Sequence, residues 1–184
     1  MKKIYLFFTL LIALSACDEG GILITVPSVG NYQFAINSAT ANGSANNSYT
    51  TQQTVDPSAL FTEDSDRVKN ITLNNLKYQI SGYSGTAGND VLMNFSLSTV
   101  LDGNTTEVLS ATGVSLANGL FTAFEKGQTS LKVSAAQAAS IEAIIGNQES
   151  FDLIITASFD KGIESDFNIE VVLDITGSIS EITN

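Results

Sequence analysis

The chain has 184 residues, 43% of them hydrophobic, with 19 acidic against 8 basic residues, no histidine, no tryptophan and one cysteine. Without histidine there is no Ser-His-Asp arrangement, no imidazole base and no histidine-containing zinc site. A net charge of −11 repels nucleic acid phosphates and anionic headgroups, which excludes nucleic acid as a partner.

At the N-terminus Lys2 and Lys3 precede an apolar run, 4–14, broken only by Thr9. A helix that spans a bilayer needs about 20 apolar residues, so this run is too short. A basic start, a short apolar stretch and small residues at its end are the signature of a secretory signal peptide. The end reads Leu14-Ser15-Ala16-Cys17, which resembles the lipobox of bacterial lipoproteins. The resemblance covers residues 1–17. It implies cleavage before Cys17, diacylation of the Cys17 thiol and acylation of the freed amine, which makes the membrane a partner through the lipid. One acyl chain holds a protein only marginally, whereas two or three make a durable anchor.

Removal of residues 1–16 takes Lys2 and Lys3 away and leaves six basic and 19 acidic residues, a net charge of −13. Residues 17–21, Cys17-Asp18-Glu19-Gly20-Gly21, then form a short tether. An Asp directly after the lipidated cysteine resembles the inner-membrane retention signal of enteric lipoproteins, and acidic residues there also resemble the surface-export signal of Bacteroidota-type lipoproteins. The Asn/Thr/Ser-rich body favours the second and an outer-membrane location, facing the periplasm or the surface. With Cys17 lipidated and no other cysteine, stability rests on the core alone.

Residues 22–184 read as one domain in which period-2 alternation dominates, the pattern of strands with one buried face. In chain order the expected strands are 22–26, 32–36 and 48–55, the last polar enough for an edge. Asp56-Pro57-Ser58 begins a single helical turn with Pro57 at its first position. Ile71 and Leu73 lie in one phase and Leu76, Tyr78 and Ile80 in the other, so a β-bulge is expected at Asn74-Asn75. Strands 91–101 and 105–115 flank Asp102-Gly103-Asn104, a hairpin turn that tolerates positive φ. Ser134 to Gly146 reads as the one full helix, with Ser134 and Gln137 at capping-box spacing and Gly146 suited to the left-handed position after the last turn. Its Ile141, Ile144 and Ile145 stripe is expected to pack on an edge or end of the sheets. The strands 151–159 and 167–175 alternate most cleanly and are expected to pair as a hairpin. The fold class is therefore mainly β: an antiparallel β-sandwich, Ig-like or jelly-roll-like, with one short helix near 135–145.

The search for chemistry returns few residues. Gly82, Gly85 and Gly88 lack the Lys-Ser/Thr and helix of a phosphate loop. Glu63-Asp64-Ser65-Asp66 and the trio Asp160, Glu164 and Asp166 are acidic groupings of the kind that bind calcium, yet neither matches an EF-hand, and a solvated loop is the better reading. Of the mature tyrosines, Tyr32, Tyr49, Tyr78 and Tyr83, Tyr78 is in core phase and Tyr83 is the best exposed aromatic. No catalytic residue, cofactor or metal ligand is assigned; the one site residue is Cys17, for lipidation. The expected function is a non-enzymatic envelope lipoprotein that docks on another envelope protein as an accessory or scaffold subunit. The alternative is a surface module that binds glycan, with or without calcium.

Overall fold

The computed structural model describes residues 22–61, 67–85, 91–128 and 131–181. Its strands are β1 (Ile22–Ile36), β2 (Ser48–Val55), β3 (Lys69–Ser81), β4 (Leu92–Leu101), β5 (Asn104–Ser115), β6 (Gly119–Glu125), β7 (Phe151–Phe159) and β8 (Phe167–Glu181). Helix α1 (Ser38–Gly43), a 3₁₀ turn (Pro57–Leu60) and helix α2 (Ala135–Gly146) lie between them.

The strands form two antiparallel four-stranded sheets, sheet A in the order β1-β8-β3-β6 and sheet B in the order β2-β7-β4-β5. Only β4 and β5 are consecutive neighbours within a sheet; every other connection crosses between sheets. Two four-stranded sheets connected in this way make an eight-stranded jelly roll. The inner faces meet in one core: Ile169, Val171 and Leu173 of β8 and Leu76, Tyr78 and Ile80 of β3 oppose Leu153, Ile155 and Ala157 of β7 and Met93, Phe95 and Leu97 of β4, all buried. Tyr78 joins the layers, edge-on to Phe95 at 4.8 Å and stacked on Phe121 at 5.0 Å.

Several expectations hold. β2 is an edge strand of sheet B. Asp102 and Gly103 both have positive φ, 51° and 76°, between the paired Leu101 and Asn104, a two-residue hairpin loop of the primed type. The β3 bulge is present: the register against β8 slips between Leu73 and Asn75. There the Asp174 carboxylate accepts from the Asn75 amide at 3.0 Å, and the Leu73 N–H donates to Glu142 Oε1 of α2 at 2.7 Å. The α2 capping box is complete, Ser134 Oγ accepting from Gln137 N and Gln137 Oε1 from Ser134 N. Asp56 accepts from Ser58 N at the start of the 3₁₀ turn, with Pro57 in its first position.

Three expectations are corrected. β7 and β8 do not pair: β7 lies between β2 and β4, and β8 between β1 and β3. Alternation records that each strand buries one face, which is equally true of neighbours in a sheet and of strands stacked across the core. The 160–166 connection arches between layers, held by a hydrogen bond from the Leu92 N–H to Asp160 Oδ1 at 2.9 Å. Second, 22–26 and 32–36 are one continuous strand. Pro27 is tolerated because β1 is an edge, and Gly30 admits the Tyr32 ring, which a Cβ there would meet at 2.8 Å. Third, α2 runs through Gly146, and the left-handed residue is Gln148 at φ 58°, its side chain held by the Val68 carbonyl. Helix α1 and strand β6 are additions to the elements expected.

If alternation on β4 sets the layers, Leu97→Ala lowers unfolding free energy by about 2–5 kcal/mol, while Ser96→Ala, its outward neighbour, changes it by less than about 0.5 kcal/mol. Urea denaturation of the two variants measures both.

Candidate functional site

The β1/β8 register sets Ile22 opposite Glu181 at one end of sheet A and Ile36 opposite Phe167 at the other. The chain therefore enters the sandwich at one end, and the connections 37–47, 82–85, 116–118 and 160–166 gather at the opposite, distal end. Their polar groups bond largely to one another. Asp166 accepts from Ser38 Oγ at 2.7 Å, Ser38 N at 2.8 Å and Asn37 Nδ2 at 3.3 Å. Asn42 donates to the Ile163 carbonyl at 2.8 Å and accepts from its N–H at 2.9 Å. Ser84 N donates to Ser165 Oγ at 2.9 Å, and the Tyr83 ring stands edge-on to Phe167 at 5.9 Å. The bonds from Ser38, side chain first and then backbone, with a further bond from Asn37, hold the Asp166 carboxyl below the ordinary carboxylate range. A cleft of about 210 Å³ lies here, lined by Asn37, Tyr49, Asp166 and Asn168 among others, but its carboxylate already fastens α1.

The outer face of sheet B is different. None of its four strands contains a lysine or arginine, and its outward positions are mostly serine, threonine, asparagine and glutamine. Strand β5 carries two extra residues against β4, one where Met93–Phe95 opposes Val114–Ala111 and one where Leu97–Ser98 opposes Leu109–Glu107. At the first, Gly113 takes φ 64° and its N–H donates to Asn94 Oδ1 at 2.9 Å. These bulges curl the edge around a shallow depression of about 250 Å³, floored by Phe95 and Ala111 and rimmed by Asn94, Ser96, Glu107, Ser110, Thr112, Thr156 and Ser158. Thr156 bonds Thr50 across the strands at 3.2 Å. The side chains of Ser96, Glu107, Ser110, Thr112 and Ser158 have no hydrogen-bond partner among the described residues, and the Asn94 amide nitrogen is likewise unused.

The residues singled out in the sequence fare unevenly. Cys17, Gly88 and the grouping Glu63-Asp64-Ser65-Asp66 lie outside the described residues. Asp160 and Asp166 are occupied by Leu92 and Ser38, and among the described residues no group of three or more acidic side chains is placed to hold a metal ion. Tyr83 is buried, not exposed, at 7% accessibility, because it packs on Phe167 as its loop folds over the end of the core. Tyr78 is buried as expected, and Tyr32 and Tyr49 pack against the core, with burial raising the Tyr32 phenol to about 12. The depression was not among the sequence candidates. Its signal is present in the chain as the polar phase of β4 and β5 and the lack of cations in all four strands of sheet B.

No protein-family model matches the chain, and no curated protein matches it in sequence. Among solved structures, a chain of Desmodium yellow mottle tymovirus is similar at 9% identity and TM-score 0.40, over 91% of this chain and 94% of that one. The decameric BFDV capsid protein is similar at 10% identity and TM-score 0.39, over 85% and 99%. A chain of Mud crab tombus-like virus is similar at 10% identity and TM-score 0.42, over 90% and 85%. Among the described residues no helix is long and apolar enough to cross a membrane.

The lowered carboxyl of Asp166 makes a signed prediction. Its stabilising effect is present above the ordinary value of 3.8 and is lost as pH falls through the lower folded-state value. Asp166→Ala should therefore melt below the wild type at pH 7, and the gap should close in melting curves taken at progressively lower pH below 3.8.

Proposed function

We propose that the protein is a non-enzymatic envelope lipoprotein, acylated at Cys17, that serves as an accessory or scaffold subunit of an outer-membrane or surface assembly. The observation that carries this reading is where the chain enters the sandwich. Ile22 begins β1 at one end, five residues after Cys17, so the tether 17–21 holds that end close to the bilayer. The 15 residues of β1, at about 3.3 Å each, then carry the distal end roughly 50 Å outward.

Several acidic residues support a non-enzymatic role, since each is engaged separately in a structural bond. Asp56 and Asp166 fasten local turns, Asp152 accepts from Thr54, and Glu142 joins α2 to β3. Strand addition is restricted at particular points of the sheet edges. On β1 the Gln33 carbonyl accepts from Gln53 Nε2 of β2 at 2.7 Å and Ser28 Oγ donates to the Leu60 carbonyl, and β5 is bulged twice. On β6 the Ala123 carbonyl is taken by Val133 N at 3.1 Å. Residues 119–122 of β6, where Leu120 is 59% exposed, form one stretch of edge for strand addition. The outer side-chain faces of the two sheets are a further surface for a partner.

Labelled palmitate fed to the native cells should enter the wild type and not Cys17→Ser, and that variant should move from the membrane to the soluble fraction. Crosslinking of the tagged wild type in those cells should retain a stoichiometric envelope protein. An unlabelled wild type would overturn the anchor, and a bare monomer the accessory role.

A further inference from the structure

We infer that the depression on the outer face of sheet B is a binding site for one unit of a neutral saccharide. The inference stands apart from the lipid anchor and rests on which polar groups the fold leaves unused. At the distal loops the donors and acceptors are largely spent on each other. In the depression they are not: the hydroxyls of Ser96, Ser110, Thr112 and Ser158 can each donate and accept, the Asn94 amide donates, and Glu107 only accepts. A sugar ring presents the same mixed set, hydroxyls that donate to a carboxylate and accept from an amide.

The charge of the face narrows the choice. With no lysine or arginine in any strand of sheet B, and with Glu107 and Asp152 as its charges, phosphate, sulfate and carboxylate ligands meet repulsion and no counter-ion. The depression itself gives apolar ligands no platform: Leu92, 43% exposed, and the half-buried Val100 and Ile154 lie outside its rim, and a protein partner would want large apolar or arginine anchors at the centre of its contact. The volume of about 250 Å³ sits just under the roughly 300–1,000 Å³ of small-molecule sites. One unit of a chain fits, while its neighbours run along the open sheet.

The site is preorganised in part. Its floor is the buried pair Phe95 and Ala111 and Asn94 is fixed by the bond from Gly113 N, while Glu107 and the serine and threonine hydroxyls of the rim are ordered on binding. The aromatic stacking that tight sugar sites use is absent, since all four mature tyrosines pack into or against the core. Affinity therefore comes from hydrogen bonds alone, and a Kd on the order of 1 mM is expected.

The test uses the full chain in a detergent without a sugar headgroup, titrated by NMR with trisaccharides of glucose (α- and β-linked), mannose, galactose and xylose, and with an oligogalacturonate as the anionic control. At least one neutral trisaccharide should give saturable shifts centred on Asn94, Ser96, Ser110 and Thr112. Ser110→Tyr, which fills the depression, and Glu107→Ala, which removes its acceptor, should each weaken binding by about tenfold or more. Gln79→Tyr, on the outer face of sheet A, should leave it unchanged. No saturation by any neutral sugar at about 20 mM, preference for the anionic control, or binding that survives both sheet B variants would each overturn the inference.

Discussion

Neither sheet can exist without the other. Each is apolar on one face, the chain has no cysteine besides Cys17 to staple it, and α2, at 12 residues, is too short to cover a sheet. The face made by Leu153, Ile155, Leu97 and Phe95 must therefore bury itself against the face made by Ile169, Val171, Leu76 and Tyr78. This mutual burial is the face-to-face packing of a β-sandwich, and it dictates the surface as well as the core. Every residue that alternates out of the core becomes part of one of two broad polar faces.

Those faces are not equivalent. Sheet A carries Lys69, Lys77, Glu170 and Asp174 on its strands, a mixed-charge surface of the ordinary soluble kind. Sheet B carries hydroxyls and amides without cations, and the two β5 bulges bend that surface into a shallow concavity. The distal loops do the opposite work. Asp166, Asn42 and Ser165 convert connections that would otherwise be loose into a cross-braced lid over Tyr83 and Phe167. What a loop-centred view would take for the working end is a structural clasp, and the unused chemistry lies on the sheet.

What the sequence made legible was local. The capping box at Ser134 and Gln137, the Asp102-Gly103 turn, the phase change at Asn74-Asn75 and the alternation of β7 are each written within a few residues, and all are present in the structure. The layer to which a strand belongs is not written locally. Phe151–Phe159 and Phe167–Glu181 alternate as well across two sheets as within one, so their pairing was misread. Strand β6 was missed because a bulge buries Ala123 and Phe124 together and breaks the alternation that identifies strands. Tyr83 was misplaced because its neighbours, Gly82 and Ser84, read as a solvated turn although the loop folds back on the core. The depression escaped for a related reason: Asn94 and Ser96 come from one strand and Glu107, Ser110 and Thr112 from another, and only the register of β4 on β5 brings them together.

Native-state amide hydrogen exchange bears most directly on the mutual burial of the two sheets. If each layer depends on the other, the slowest amides of β3 and β8 in sheet A and of β4 and β7 in sheet B should share one opening free energy and exchange only through global unfolding. An opening that releases one sheet's amides while the other stays protected would contradict the account, and would mean that the two layers are separate stable units in contact.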